Sequence, residues 1–301
     1  MTSRPAADAG ADASFDAPAR GILCMVLGTI LLTSNDAVTK WLLTSLHPGD
    51  VMAWRGLLSL PFVFIILKLE GGNLSTLRSR APKRTLLRAV LALLTSVLVI
   101  VSFQVLPLAD ALAVIFVSPV MVTALSALLL KEPVGWRRWT ARPNPTSTPG
   151  FCGALIIVGP SFQEIGPWVM APLGAAFFAA LRDIVTRPLG RVEAGAAITF
   201  WTMLLATLAG FASLPVLGAS PVPESAWLLL VGASAMLAGS NRLTIAAFKL
   251  ASGSVVAPLK YLALIWAAGI GYLVWGDVPD IRKVVGAAII AIVAAALLGS
   301  T

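Results

Sequence analysis

The sequence predicts an all-α integral membrane protein with ten transmembrane helices, arranged as two inverted five-helix repeats. Hydrophobic residues make up 58% of its 301 positions and charged residues only 12%, and the mean hydropathy is +0.89. These values lie far outside the balance of a soluble domain. Apolar stretches of roughly 20 residues recur without a period of two, which favours helices over a barrel. A polar run at 34–40 also returns in altered form at 182–187.

The apolar stretches define ten predicted spans, preceded by a polar segment. Residues 1–19 are rich in Ala, Asp and Pro and are predicted to form a disordered tail. No A-x-A-like cleavage site follows the first span, so we expect that span to be retained rather than removed as a signal peptide. The predicted spans are 21–43, 51–69, 85–103, 108–130, 150–162, 168–186, 194–217, 226–250, 254–275 and 281–299.

An internal repeat relates the two halves of the chain. Matching residues are separated by 147 positions near the start of each half and by 145 positions further on. Five spans per half is an odd number, so the second half must cross the membrane in the opposite direction, as in the inverted repeats of secondary transporters. We therefore divide the chain into a first repeat at 20–166 and a second at 167–301. The matching pairs are Asp36 and Asp183, Lys40 and Arg187, Trp54 and Trp201, Phe103 and Phe248, and Glu132 and Asp277.

The register of the repeat is lost at 142–149. Three prolines within this segment are incompatible with a helix. The fifth span that follows keeps about 13 residues, or about 20 Å of helix, against a hydrocarbon core of about 30 Å. Two alternatives remain open: a short fifth helix partly covered by its neighbours, or a stretch that differs through an insertion or a compensated frameshift. We expect 142–149 to be a cytoplasmic loop that transport does not require.

The chain resembles the drug/metabolite transporter superfamily, EamA type, over residues 20–299. Two five-helix halves carry this resemblance, with Pro107 to Glu132-Pro133 around the fourth span and 257–280 around the ninth. Within it, 34–36, 182–184 and 257–262 are similar to the S-adenosylmethionine uptake branch, while size and plan are also similar to the bacterial amino-acid exporters. The resemblance implies a proton- or gradient-linked carrier of small metabolites with a central cavity.

We predict that seven charged residues in the spans lie within the membrane rather than at its connections. At about 2.5 to 3.5 kcal/mol each on an insertion scale, seven residues facing lipid would cost on the order of 20 kcal/mol, more than a typical folded protein has to spare. Most must therefore pair or face water. Three are predicted in the outer third of the membrane and four in the inner third. The outer residues are Asp36, Lys40 and Arg55, and the inner ones are Arg182, Asp183, Arg242 and Lys260.

These polar positions supply the candidate site residues. Five bases against two acids leave an excess of positive charge, which a substrate carboxylate would neutralise. Structural explanations compete: Lys40 and Arg182 are long enough to snorkel, and the remaining bases could pair with Asp36 or Asp183 within the protein. The predicted substrate-binding or cavity residues are Asn35, Arg55, Asp183, Asn241, Arg242, Lys260, Tyr261 and Trp266. The predicted gating residues are Asp36, Lys40, Arg182 and Arg187.

The sequence contains no pattern typical of enzymes. It has no Walker loop, no HExxH pair and a single histidine, His47, beside Pro48 in a predicted loop. We expect no catalytic residues, no metal site and no cofactor. The pI near 10.1 would suit a nucleic-acid partner, but the basic residues lie between apolar spans, so no nucleic-acid partner is expected. The expected partners are a small-molecule substrate and the lipid bilayer, and a homodimer is an oligomeric state that the sequence leaves open.

The function expected from these features is secondary transport of small metabolites by alternating access. Export of amino acids or related carboxylate-bearing metabolites is the preferred hypothesis, with S-adenosylmethionine uptake or exchange as the alternative. A lipid-handling protein or intramembrane enzyme is a remote alternative because catalytic residues are lacking. A channel or structural subunit is disfavoured by the opposed charged clusters. Substrate, direction, coupling ion and oligomeric state are not determined by the sequence.

Charge distribution predicts an inner-membrane protein with both termini in the cytoplasm, because Lys and Arg concentrate in the tail and in alternate connections. Reporters fused after Thr301 and inserted near Ser79 should both report a cytoplasmic location. Protease protection or reporter activity in intact cells measures this, and an external Ser79 would contradict the inverted plan. The predicted cytoplasmic residues are Arg4, Arg20, Lys68, Arg78, Arg80, Lys83, Arg84, Arg88, Lys131, Arg137, Arg138, Arg142, Arg187, Arg191 and Lys249.

Overall fold

A computed structural model describes residues 11–118, 121–122, 125, 166–189, 192–250, 259–278 and 285. Within these ranges the chain is helical, without strands. Two short 3-10 helices, Leu74–Leu77 and Gly166–Val169, accompany eight α-helices. The α-helices are α1 (Ala11–Leu42), α2 (Pro48–Leu69), α3 (Pro82–Val105), α4 (Leu108–Ile115), α5 (Met170–Leu189), α6 (Gly195–Leu217), α7 (Glu224–Leu250) and α8 (Leu262–Trp275).

Six of these helices are long and apolar enough to cross a membrane: α1 from Ala19, α2, α3, α5, α6 and α7. They confirm six of the predicted spans, with ends that mostly differ by two or three residues. The described part of α8 has 14 residues, or about 21 Å. The predicted spans at 150–162 and, apart from residue 285, at 281–299 lie outside the described residues, as does 142–149. The ten-helix count therefore remains a prediction.

Proline and glycine set several helix ends. Pro48 and Pro82 occupy the first turns of α2 and α3, where the missing N–H costs no helical hydrogen bond. Gly276 follows α8 with φ of 72°, a left-handed conformation that glycine adopts most easily. One boundary differs from the sequence expectation, since α1 begins at Ala11, inside the predicted tail. Alanine is the strongest helix former and is frequent in this segment.

The helix contacts follow the internal repeat. If α1 to α4 are exchanged with α5 to α8, each major contact becomes another contact that is also present. The packing of α1 on α7 becomes that of α5 on α3, and the packing of α2 on α7 becomes that of α6 on α3. The pairs α2 with α6 and α4 with α8 map onto themselves. The described helices are therefore related by a pseudo-two-fold axis.

The central pair, α2 and α6, runs antiparallel at short range. Gly49 lies against Ser213, while Gly56 lies against Thr207, so residue numbers rise along α2 as they fall along α6. A Cβ atom added to Gly210 would lie 2.5 Å from the backbone nitrogen of Ala53, which means that only glycine permits this approach of the two backbones. Equivalent helices that run antiparallel have the opposed orientation expected for an inverted repeat.

A buried carboxylate joins α2 and α6 at each end of the pair. Following the predicted orientation, we call the end with His47 the outer end and the end with Ser79 the inner end. At the outer end, Asp50 at the start of α2 accepts a hydrogen bond of 2.8 Å from the backbone N–H of Ser220, after α6. At the inner end, Glu193 before α6 accepts hydrogen bonds from the Ser79 hydroxyl at 2.6 Å and the Ala81 N–H at 2.7 Å, after α2. Asp50, at the start of α2, thus binds the connection that follows α6. Glu193, just before α6, binds the connection that follows α2.

Hydrogen bonding controls the acidity of Glu193. Burial raises the pKa of this carboxyl, but the Ser79 hydroxyl, the backbone N–H groups of Ala81 and Arg80, and the Arg80 charge together outweigh burial and hold the pKa below its ordinary value. A carboxyl with a lowered pKa stabilises the folded state fully above its unfolded pKa of about 4.3. That stabilisation is lost as the pH falls through the lowered pKa.

We therefore predict that Glu193→Gln lowers the thermal stability of the detergent-solubilised protein at neutral pH by roughly 1 to 3 kcal/mol, because a neutral amide replaces a charged acceptor. The difference from the parent protein should shrink as the pH is lowered below about 4.3. Thermal unfolding measured across this pH range tests the prediction. Glu224→Gln is the matched control, since Glu224 is exposed, and a pH-independent effect of Glu193→Gln would contradict the assignment.

Candidate functional site

A polar cluster lies in the outer half of the bundle between α1 and α2. We call Asn35, Asp36, Thr39 and Arg55 the outer cluster. The Asn35 side-chain amide donates to the Asp36 carboxylate at 3.0 Å, and the Thr39 hydroxyl donates to the backbone carbonyl of Asn35 at 2.7 Å. The Arg55 guanidinium reaches from α2 and donates to the same hydroxyl at 2.6 Å. Asp36 and Arg55 also attract each other electrostatically.

A second cluster occupies the inner half, between α3, α5 and α6. We call Arg88, Arg182, Asp183 and Thr186 the inner cluster. The Arg182 guanidinium forms an ion pair with Asp183, with its Nε and Nη2 atoms at 3.0 and 2.9 Å from Oδ1. The Thr186 hydroxyl donates to the backbone carbonyl of Arg182 at 2.6 Å. The Arg88 guanidinium donates to Thr186 at 3.3 Å and also to Thr202 of α6.

The two clusters are equivalent under the repeat. Asn35, Asp36 and Thr39 precede Arg182, Asp183 and Thr186 by 147 positions each. In both clusters the first residue donates to the aspartate, and the threonine donates to the backbone of the first residue and accepts from an arginine. The sequence repeat therefore reproduces a hydrogen-bonding unit as well as an acid and a base.

The arginine of this unit comes from different helices in the two halves. The counterpart of Arg55, 147 positions later, is Thr202, and Thr202 accepts from Arg88 of α3. The position 145 after Arg88 is Ala233, next to Ser234. The Ser234 hydroxyl donates to the backbone carbonyl of Arg55 at 3.1 Å. In the outer half the arginine lies on α2 and the hydroxyl on α7, whereas in the inner half the arginine lies on α3 and the hydroxyl on α6. In both halves the guanidinium donates a hydrogen bond to the threonine of the unit.

The clusters differ in charge. In the outer cluster a neutral amide, that of Asn35, donates a hydrogen bond to the aspartate, and the only base of the cluster is Arg55. In the inner cluster the aspartate is bound by a guanidinium, and both Arg88 and Lys260 interact with it electrostatically. Three bases therefore interact with the carboxylate of Asp183. The Asp183 side chain is 44% exposed, and a charged group that faced lipid would be costly.

Lys40 lies at the outer end, where α1 meets the ends of α3 and α8. Its ammonium group donates to the backbone carbonyl of Leu106 and lies 5.4 Å from the ring centroid of Trp275. Asp277 and Asp110 attract it electrostatically. These contacts connect three helices across the outer end, a geometry compatible with the predicted gating role of Lys40.

Arg242, predicted to line the cavity, lies apart from the inner cluster. Its Nε atom is 3.9 Å from a Glu70 carboxylate oxygen, and both side chains are nearly half exposed, at 45% and 48%. Glu70 caps the inner end of α2, so this pair ties α7 to α2 at the surface of the bundle. Asn241 precedes it in α7 and is partly exposed. The side chain of Arg187, predicted to act in gating, lies outside the described residues.

The two predicted aromatic site residues lie at the start of α8 and along it. Tyr261 is buried and packs on Phe116 of α4, with ring centroids 5.7 Å apart. The indole N–H of Trp266 donates to the hydroxyl of Thr29 on α1 at 3.3 Å. One turn further along α1, Thr33 donates to the backbone carbonyl of Ala263 at 3.4 Å. Both aromatic residues therefore join α8 to its neighbours and lie beside the polar face of α1.

Sequence reasoning missed the roles of Arg88, Thr39 and Thr186. The sequence analysis assigns Arg88 to a cytoplasmic connection, whereas the structure places it inside α3 with hydroxyl partners on two other helices. The threonines share the offset of 147 with the aspartates, a signal that was available. A repeated hydroxyl one turn from a repeated acid could have identified both polar units.

Known proteins support a transport assignment. Residues 19–142 and 166–299 match the model of the EamA-like transporter family. The chain is 29% identical to a riboflavin transporter of Rhizobium johnstonii, over 90% of this chain and 88% of that protein. It is 27% identical to an S-adenosylmethionine uptake transporter of Rickettsia felis, over 90% and 89%. It is 28% identical to the pseudopaline exporter CntI of Pseudomonas aeruginosa, over 92% and 95%.

A solved crystal structure agrees in fold, with a TM-score of 0.65, 16% identity and coverage of 93% of this chain and 95% of the other. At this identity the likeness concerns the fold alone. The family match spans most of the chain in two consecutive segments, and it confirms the resemblance inferred from the residues. The chain belongs to the EamA-like transporter family, and it is a membrane-embedded transporter of small molecules.

Proposed function

We propose that the protein exports amino acids or related carboxylate-bearing metabolites across the inner membrane by alternating access. In this proposal ten helices form two inverted five-helix repeats, and both termini are cytoplasmic. The observation that carries the substrate class is the positive charge around Asp183, whose carboxylate interacts with Arg88, Arg182 and Lys260.

The charge balance of the inner half favours an anionic visitor. Asp183 binds Arg182 directly, and the same carboxylate attracts Arg88 and Lys260, so three bases share it. Positive charge removed from water is costly unless a negative group compensates it. Lys260 also lies just before α8, at the end where the helix dipole is positive. A substrate carboxylate entering from the inner side would find a positive potential there.

In the proposed cycle, the contacts of Lys40 close the outer end of the bundle. Lys40 holds α1 to the carbonyl that ends α3 and to the Trp275 ring that ends α8. Outward opening would have to separate these helix ends and break this set of contacts. The partial exposure of Asp183 at the other end supports access from the inner side in the proposed cycle.

Uptake of S-adenosylmethionine is the second candidate. It is favoured by the match to the Rickettsia felis uptake transporter over 90% of this chain and by the aromatic residues Tyr261 and Trp266 beside α1, since aromatic faces suit planar ligand groups. Relatives named as exporters and as uptake systems match at similar identity. Uptake and efflux assays in proteoliposomes, with labelled amino acids and S-adenosylmethionine, separate the two candidates.

We predict that Lys260→Gln weakens transport of a carboxylate-bearing substrate about tenfold or more, because a charge-assisted hydrogen bond to the carboxylate is lost. Transport of the methyl ester of the same substrate should change less than about threefold, since the ester offers no charge to Lys260. Initial rates of efflux from proteoliposomes measure both effects.

Arg242→Gln is the matched control. Arg242 pairs with Glu70 in an exposed position, where an ion pair contributes about 0 to 1 kcal/mol. This variant should therefore affect acid and ester alike and only weakly. If Lys260→Gln reduced transport of acid and ester equally, Lys260 would serve only to hold helices together, and the carboxylate assignment would fail.

A further inference from the structure

The outer cluster contains a buried acceptor that the protein itself does not use. Asn35 is 1% exposed. Its Nδ2 group donates to Asp36, and because a carboxylate only accepts hydrogen bonds, this contact fixes the orientation of the amide. The Oδ1 atom then has no hydrogen-bond partner within the described part of the chain. A buried, unsatisfied carbonyl oxygen costs about 1 to 3 kcal/mol, and such cases in native proteins require an explanation.

The equivalent position in the inner half has no unsatisfied acceptor of this kind. There Arg182 replaces Asn35, and its guanidinium has only donors. The two repeats therefore keep the aspartate and the threonine but differ in the residue before the aspartate. At that position the outer half presents an acceptor where the inner half presents a cation. In the outer cluster two acceptors are therefore adjacent, the Asn35 Oδ1 atom and the Asp36 carboxylate.

Arg55, the nearest base, does not satisfy these acceptors. Its Nη1 atom donates to the Thr39 hydroxyl, and no salt bridge within 4.0 Å joins it to Asp36 among the described contacts. Its charge nevertheless offsets that of Asp36, so the cluster has no net excess of either sign. A site of this kind selects its ligand by hydrogen-bond donors as well as by charge. Both protein groups accept, so the complementary ligand group must donate.

We propose that Asn35 and Asp36 form a binding subsite for an N–H donor group of the transported molecule, such as a primary ammonium group. This inference rests on the proposed function and extends it, since the inner half is assigned to the substrate carboxylate. The substrate would then present its carboxylate to the inner bases and its amino group to the outer acceptors at different stages of transport. Asp36 neighbours Asn35 in α1 and belongs to the same outer cluster.

Matched analogues of one substrate separate the two subsites. The probes are each member of a panel of amino acids, its methyl ester and its N-trimethyl derivative, used as competitors of labelled amino acid in proteoliposomes. The ester keeps the N–H donors and lacks the carboxylate. The trimethyl derivative keeps the carboxylate and the positive charge but has no N–H group. Any loss confined to probes with N–H groups therefore reports on hydrogen-bond donation rather than on charge.

Asn35→Leu should raise the half-maximal competing concentration of the amino acid and of its ester about tenfold or more, because the acceptor is removed. The trimethyl derivative should change less than about threefold. Asn35→Val, which also removes the acceptor and leaves the charge of Asp36, provides the same test if Asn35→Leu folds poorly. Ser102→Ala is the control, because Ser102 is buried in the outer half and its hydroxyl bonds only within α3.

The results also distinguish this inference from the proposed function. Equal loss for amino acid and trimethyl derivative, or no loss for either, would overturn the N–H subsite. Selective loss of N–H probes in Asn35→Leu, together with equal loss of acid and ester in Lys260→Gln, would support the subsite and reject the carboxylate assignment. The reverse combination would support the carboxylate assignment and reject the subsite.

Discussion

Threonine hydroxyls provide hydrogen-bond acceptors for two partly buried arginines of this bundle, Arg55 and Arg88. Thr39 and Thr186 each donate to a backbone carbonyl of their own helix, and each accepts from a guanidinium on another helix. A buried guanidinium normally requires a carboxylate partner because the cost of desolvation is high. Here part of that requirement is met by a hydroxyl, so Asp36 and Asp183 remain available for the residue before them and for a ligand. The arrangement of both polar clusters depends on this contact.

The clusters are kept apart by the tight packing of α2 on α6. Glycines at 49, 56 and 210 bring the two backbones together, and the buried carboxylates of Asp50 and Glu193 secure the connections at the two ends. The pair lies on the pseudo-two-fold axis and maps onto itself under exchange of the repeats. A carrier that alternates between two open states needs contacts that are the same in both states. A helix pair that maps onto itself under exchange of the repeats can provide such contacts.

Departures from the repeat carry information about function. The threonine and the aspartate are retained in both halves, which is consistent with a shared structural unit. The preceding residue is an amide in one half and a guanidinium in the other, and Lys260 adds charge only to the inner half. Inverted repeats make two sites equivalent in position, but alternating access to a substrate with two unlike ends requires sites that differ in chemistry. The proposed carboxylate and N–H subsites follow from this difference.

The sequence by itself determined the helical class, six spans that the structure confirms and the relation between the halves, because apolar length and a repeated acid are properties of the chain read in order. It also predicted Asp36 and Arg55 in the outer third of the membrane and Asp183, Arg182 and Lys260 in the inner third, since depth follows from counting along a helix. Only the tertiary structure decided which of these residues meet. Arg242 pairs with Glu70 rather than with an aspartate, Lys40 binds a backbone carbonyl, and Arg88 takes the place that Arg55 holds in the other half. Such partners depend on the rotation of each helix about its axis and on which helices are neighbours, and contacts across the bundle set both.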